Sequence, residues 1–221
     1  MIITVDGPAA AGKGTLSSVL AQKYGLAYFD TGMVYRAVGL EMALQGKDLG
    51  NEAEALKIAD NLTFAQMMAL SKHPDFRSAL GGKNASVVSA YPSVRASLLK
   101  MQQDFSKNPV FADGTPANGA IYDGRDTGTV VCPQADIKFF VTASPEVRAE
   151  RRFKEFQAKG ADITYDEVLA DVKARDERDM NRAVAPMKPA ADAVILDTSN
   201  DSIEDVLRRA EEIIGSRLQN K

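Results

Sequence analysis

The chain has no tryptophan, one cysteine (Cys132) and one histidine (His73) among its 221 residues. A lone cysteine excludes an internal disulfide framework, and a single histidine beside it excludes a Cys/His zinc cluster. Neither sign of charge prevails: 27 Lys and Arg stand against 30 Asp and Glu, a formal net charge of −3. Whole-chain electrostatics therefore gives no general attraction to nucleic acid, and none is expected as a partner, although a local basic cleft stays open. No apolar run reaches the roughly 18 residues that a membrane span needs. The opening segment, MIITVDGPAAAGKGT, has no basic region and meets Asp6 almost at once. No secretory leader or membrane association is expected, and the chain reads as cytoplasmic. What is present is ordinary globular composition, 45% hydrophobic and 26% charged. A chain of this length buries about 70% of its unfolded surface and needs no disulfide or metal to fold. No strong exposed apolar stripe is evident, so a monomer is the default expectation.

Short apolar strands alternate with helical patterns from end to end. Ile2 to Val5 reads as a buried strand, Thr15 to Tyr24 as a helix stopped by Gly25, and Leu26 to Phe29 as a second strand. A helix follows from about Met33 to Gln45, and Asn51 can cap another, with Glu52 and Glu54 in its first turn. His73-Pro74 and Gly81-Gly82 break the pattern in the 61–83 stretch, which reads as the joint of a small mobile subdomain, with a helix resuming near Ala85. Ser93 to Phe105 is helical, and residues 107–119 form a surface loop rich in Pro, Gly, Asn and Asp. Ala120 to Tyr122 and Ile137 to Thr142 are strands. Ser144 and Pro145 open a helix to about Lys159, and Thr164 with Glu167 has the spacing of a capping box for a helix to about Asn181. Ala193 to Leu196 is the last strand. In the closing helix Ile203, Val206, Leu207, Ala210 and Ile214 share one face. This alternation predicts an α/β fold with a mainly parallel sheet.

After the first strand comes Gly7-Pro8-Ala9-Ala10-Ala11-Gly12-Lys13-Gly14-Thr15, then a helix. It is G-x-x-x-x-G-K with the hydroxyl residue one place later than in the common form. Glycines let the loop wrap phosphate oxygens without an obstructing Cβ. The loop amides and the helix N-terminus make an anion site. Lys13 can place a charge between β- and γ-phosphates, and Thr15 can offer its hydroxyl to Mg²⁺. A phosphate loop gives a nucleotide site, not an activity.

Arginines are the remaining cue. Arg36 lies one turn into the helix after Asp30-Thr31-Gly32, Arg95 opens another helix, and Arg125 sits in a Gly-Arg-Asp turn at a strand end, where ligands bind in open α/β sheets. Arg148, Arg151 and Arg152 lie at i, i+3 and i+4 of one helix, and Arg175, Arg178 and Arg182 at i, i+3 and i+7 of the next. These helices could be a solvated charged surface, since opposite charges at i,i+4, as in Asp171–Arg175 and Arg175–Asp179, stabilise a helix by about 0.2–0.5 kcal/mol. They could instead form a lid, hinged at Lys159-Gly160-Ala161, that brings positive charge to a phosphoryl group in transfer. Asp123 and Asp126 could be two halves of a turn. Alternatively Asp123 acts through water on Mg²⁺, and Asp126 accepts a hydrogen bond from a base amino group. Cys132 reads as a packing residue and His73 as an ordinary loop residue.

The strings GPAAAGKGT, DTGMVYR (30–36), S-x-V-x-x-Y-P-x-V-R (86–95), DGRDTGTVVCP (123–133), RAERR (148–152) and RDERDMNRAVAPMKPAADA (175–193) resemble the nucleoside-monophosphate kinases, and specifically the bacterial cytidylate kinases. The resemblance runs nearly end to end. It implies a P-loop NTPase-like parallel sheet flanked by helices, with a small monophosphate-binding subdomain and a short helical lid. The implied core covers about 1–35, 86–143 and 183–221, the subdomain about 36–85 and the lid about 144–182. It also implies transfer of the γ-phosphoryl group of ATP, with Mg²⁺, to CMP or dCMP. Gly7, Ala10, Ala11, Gly12, Lys13, Gly14 and Thr15 would hold the ATP phosphates. Thr31 would lie near the acceptor sugar, Arg36, Arg125 and Arg182 on the acceptor phosphate, Ser86, Arg95 and Asp126 on cytosine, and Arg175 and Asp179 on the ribose. Arg148, Arg151 and Arg152 would serve the lid, with Lys13, Arg125, Arg148, Arg152 and Arg182 counted as catalytic. The same chemistry on UMP or AMP is the near alternative, and a regulatory nucleotide-binding module the remote one. Residues 62–86 are shorter than in family members with an extra β-rich insert, and the 107–119 loop is longer than in many.

Overall fold

The computed structural model describes residues 1–158 and 160–219. They form two compact units, Met1–Phe29 with Pro109–Lys221, and Asp30–Asn108. Five strands make one sheet: β1 (Ile2–Asp6), β2 (Ala27–Asp30), β3 (Ala120–Gly124), β4 (Ile137–Thr142) and β5 (Val194–Asp197), in the order β2-β3-β1-β4-β5. β1 pairs in parallel with both β3 and β4, and β4 with β5. The chain thus leaves β1 to one side and returns later to the other. The carboxyl ends of β1, β3 and β4 meet at that switch, where ligands bind in open α/β sheets.

Alternation along the strands decides what each face carries. Ile3 and Val5, with Ile137, Phe139 and Val141, are buried against α1 (Lys13–Tyr24) and α9 (Ile203–Gln219), which contribute Leu16, Leu20, Val206, Ala210 and Ile214. Each fully buried Leu, Ile or Phe there contributes about 1.5–3 kcal/mol. Residues of the other parity, Thr4, Asp6 and Lys138, crowd around Gly128 in the turn that follows β3. Of the expected face of α9, Val206, Ala210 and Ile214 are buried, whereas Ile203 is exposed because it opens the helix. Two further helices, α7 (Pro145–Ala158) and α8 (Tyr165–Asn181), pack through Ala149, Val168 and Val172 with Phe153, Phe156 and Leu169 around them. Thr164 and Glu167 form the expected capping box, and Val147 N–H reaches Ser144 Oγ. The expected helix end at Lys159 lies outside the described residues.

The second unit is helical: α2 (Gly32–Leu44), α3 (Glu52–Asn61), α4 (Phe64–Leu70), α5 (Ala79–Val88) and α6 (Pro92–Lys107), with a 3₁₀ turn at Pro74–Arg77. It runs to Asn108, and within it α6 packs on α3 and is tied to it by Ser93–Glu52 and Ser97–Asp60 hydrogen bonds. Gly81-Gly82 does not break the chain. Ser78 caps α5 by accepting from Gly81 N–H, and a Cβ on Gly81 would sit 2.2 Å from the Asp75 carbonyl. These glycines permit close packing. Among the described residues no helix is long and apolar enough to cross a membrane.

Candidate active site

Gly7 begins the loop between β1 and α1. Its φ of 140° and a Cβ position 1.9 Å from the Val141 carbonyl leave room for no side chain. Lys13 is buried at the start of α1, its Nζ donating to Pro8 O at 2.9 Å and lying 3.7 Å from an Asp123 oxygen. Burial, reinforced by the Arg125 charge, lowers its ammonium to about 8. Thr15 is exposed at the first turn of α1. Tyr28 donates to Asp123 at 3.2 Å, a contact the sequence does not announce.

Beyond β3 the chain forms a π-type turn, Thr127–Val131, that keeps Asp126 buried at its N-terminal edge. Asp6 anchors this turn. Its carboxylate accepts from Thr127 N–H and Oγ1 (both 2.8 Å) and from Gly128 N–H (2.7 Å). Burial pushes the Asp6 carboxyl upward, against those hydrogen bonds. From the sequence Asp6 is only an early charge in the opening segment, with no partner assigned to it.

Charges alternate from this turn to the end of α8. Arg125 Nε meets Asp179 at 3.0 Å, Arg182 lies 3.8 Å from Asp179, and Arg182 Nη2 meets Asp126 at 3.2 Å. Although burial pushes the Asp179 carboxyl up, Arg125, Arg175 and Arg182 hold it below the usual carboxylate range. Arg182 also donates to Ala185 O at 2.6 Å. Arg175 is half-buried, while Arg178 is exposed and turns back to Ala174 O, so these two arginines of α8 and Arg182 at its C-cap do not act as one face.

The α7 arginines diverge as well. Arg148 is buried and donates with both Nη atoms to Asp176, with Nε to Ala143 O and with Nη1 to Ala9 O of the loop. Arg151 turns to Thr198, just after β5. Arg152 lies over the Phe156 ring, 4.9 Å from its centroid. Neither Asp176 nor Thr198 was singled out from sequence.

In the second unit, Thr31 is buried at the head of α2, and Arg36 donates to Phe76 O at 2.9 Å. Ser86 is buried on α5, and its hydroxyl has no hydrogen-bond partner among the described residues. Arg95 is buried on α6, donates to Ser89 O at 3.2 Å and lies 5.2 Å over the Tyr35 ring.

Among the described residues no group of three or more His, Cys, Asp or Glu side chains is gathered to hold a metal ion. Asp123 has an oxygen 3.7 Å from Lys13 Nζ, and Thr15 stands two residues after Lys13 in α1; both side chains offer hard oxygen donors. They suit Mg²⁺, which keeps several waters and uses few protein ligands when it binds with phosphates.

The sequence model of the cytidylate kinase family matches residues 3–216. The chain belongs to the cytidylate kinase family. It is 49% identical over 216 residues to the cytidylate kinase of Paramagnetospirillum magneticum, covering 98% of each chain. It is 49% identical over 219 residues to that of Rhodospirillum rubrum, covering 99% of each. The crystal structure of shikimate kinase from Bacteroides thetaiotaomicron shares 15% identity with this cytidylate kinase family member. That structure aligns with a TM-score of 0.50 over 97% of this chain and 98% of that one, a likeness of fold alone. The fold is thus the P-loop NTPase-like α/β class read from the sequence.

Proposed function

We propose that the protein transfers the γ-phosphoryl group of ATP to CMP and dCMP, giving CDP and dCDP, in the cytoplasm. The observation that carries this reading is near full-length similarity to cytidylate kinases together with the loop that presents Lys13. The first unit supplies the donor side: Gly7, Ala10, Ala11, Gly12, Lys13, Gly14 and Thr15 take the ATP phosphates. Mg²⁺, held by Thr15 and, through water, Asp123, would offset charge on the phosphate oxygens. An oxygen of the acceptor phosphate attacks the γ-phosphorus in line as the bond to the ADP oxygen breaks, and ADP leaves with the electron pair. An ionised phosphate needs no general base. Lys13, Arg125, Arg152 and Arg182 meet the charge that develops, while Arg148, committed to Asp176 and two carbonyls, positions α7, α8 and the loop. We assign the lid role to α7–α8 and the monophosphate-binding role to the second unit.

Arg36, Arg125 and Arg182 take the acceptor phosphate, Thr31, Arg175 and Asp179 the sugar, and Ser86, Arg95 and Asp126 the base. The buried Ser86 hydroxyl supports its role, because an unpaired buried hydroxyl costs free energy that a ligand atom offsets. Asp126 suits the cytosine amino group. Uracil would set a carbonyl against the carboxylate, a mismatch that such sites reject by as much as about 10⁴–10⁵. The test is to incubate the protein with γ-labelled ATP, Mg²⁺ and CMP and to separate the nucleotides. Label in CDP is expected; label released only as inorganic phosphate sinks the reading.

A further inference from the structure

Three carbonyls of the phosphate loop are fastened from behind. Pro8 O accepts from Lys13 Nζ at 2.9 Å, Ala9 O from Arg148 Nη1 at 3.3 Å, and Ala11 O from Thr198 Oγ1 at 3.1 Å. None of these peptide bonds is cis. In a trans peptide the N–H of the next residue points opposite to the carbonyl. Fixing the carbonyls of Ala9 and Ala11 inward therefore turns the amides of Ala10 and Gly12 the other way. Between the two fastened carbonyls Ala10 holds φ 60°, a conformation that side-chain-bearing residues seldom adopt without external restraint.

We infer that Thr198, braced by Arg151, is a positioning residue for the phosphate loop, acting through the Ala11 carbonyl on the orientation of the Gly12 amide. The inference rests on the reading of that loop as the ATP site. Thr198 lies 187 residues from Ala11 in sequence and is buried. Its own N–H meets Thr142 O at 2.8 Å, so that carbonyl is satisfied without the hydroxyl, although Oγ1 lies 3.2 Å from it. Arg151 donates from Nη1 to Thr198 Oγ1 at 3.0 Å and from Nη2 to Thr198 O at 2.7 Å. A guanidinium only donates, so the hydroxyl accepts from it and keeps its single proton for a carbonyl. The Arg151 charge polarises that hydroxyl and strengthens its bond to Ala11. Arg151 thus belongs to the support behind the loop, whereas its place in RAERR groups it with the lid arginines.

Titration calorimetry on the full chain, with ATP and CMP measured separately, tests this. Thr198→Val keeps the shape and removes the hydroxyl. Its Kd for ATP should rise about threefold to tenfold, the size of one hydrogen bond, with Kd for CMP within about twofold. Thr198→Ser should restore ATP affinity. Arg151→Gln should weaken ATP in the same selective way, and it carries the test if the valine variant does not fold. Unchanged ATP affinity, equal losses for both nucleotides, or no recovery with serine overturns the inference. A wild-type protein that binds no ATP overturns the reading of the loop and this inference with it. Wild-type binding with an indifferent Thr198→Val overturns the inference alone.

Discussion

The Arg148–Asp176 pair ties α7 to α8, and through Ala9 O it reaches the phosphate loop. Both side chains are largely shielded, at 3% and 12% exposure, and both carboxylate oxygens accept from the guanidinium. Asp176→Asn preserves the shape but puts an amide N–H against a guanidinium N–H. It leaves a buried cation without its counter-charge. Breaking one partner of such a pair costs about 3–5 kcal/mol. In a protein of this size 1 kcal/mol moves Tm by about 2–4 °C, so the variant should melt about 6–20 °C lower. Differential scanning calorimetry measures this, and hydrogen exchange should show the α7–α8 amides opening first. The double variant Arg148→Met with Asp176→Leu removes both charges and should recover much of the lost stability, since apolar replacements of buried pairs are often neutral or stabilising. It should weaken ATP binding, because Ala9 O loses the donor that Arg148 supplied. A Tm shift below about 2 °C for Asp176→Asn, or a double variant no better than the single one, refutes this reasoning.

Other expectations follow from the same geometry. Lys13 titrates at about 8 in the free protein, and bound phosphates would hold its proton to higher pH. ATP affinity should therefore be flat below about pH 8 and fall by up to about tenfold per pH unit above it, and Lys13→Arg should flatten the profile. Asp126→Asn should lower kcat/KM for CMP about tenfold to a hundredfold, the worth of a charged hydrogen bond, while KM for ATP stays near wild type and discrimination against UMP relaxes. Steady-state kinetics with both acceptors checks it. Gly81→Ala places a Cβ 2.2 Å from Asp75 O and 2.8 Å from Phe76 O. Overpacking of this kind costs about 1–3 kcal/mol. Because Phe76 O holds Arg36, KM for CMP should rise along with the fall in Tm.

Local chemistry was legible in the sequence. The β-branched and aromatic run Ile137–Thr142 is β4 without a residue's error, and Asn51 and Thr164 cap helices by accepting from Glu54 and Glu167 N–H. The strand-loop-helix unit around Lys13 was legible because strand, glycines, lysine and helix follow one another within one segment. The supports of the site were not legible, because each reaches across the chain. Asp6 meets a turn 121 residues away, Thr198 meets Ala11 across 187, and Asp176 meets Arg148 across 28. Periodicity reports which face of an element is apolar, and it is silent on which buried oxygen an arginine will find. Gly81-Gly82 misled for a related reason. Glycine weakens a helix in isolation, but here Gly81 admits the Asp75 and Phe76 carbonyls, so packing outweighs propensity. In the same way RAERR reads as one cluster of charge, whereas its helical geometry sends Arg148 and Arg151 inward and leaves Arg152 against Phe156.

This member of the cytidylate kinase family phosphorylates a cytosine monophosphate at the expense of ATP. The most direct measurement is kcat/KM for CMP, dCMP, UMP, AMP and GMP in parallel, following both ADP and the acceptor diphosphate, with a control lacking acceptor. One diphosphate per ADP is expected, with CMP and dCMP well ahead of the others and little ADP in the control. Equal ADP without acceptor, or a clear preference for UMP or a purine monophosphate, would contradict it.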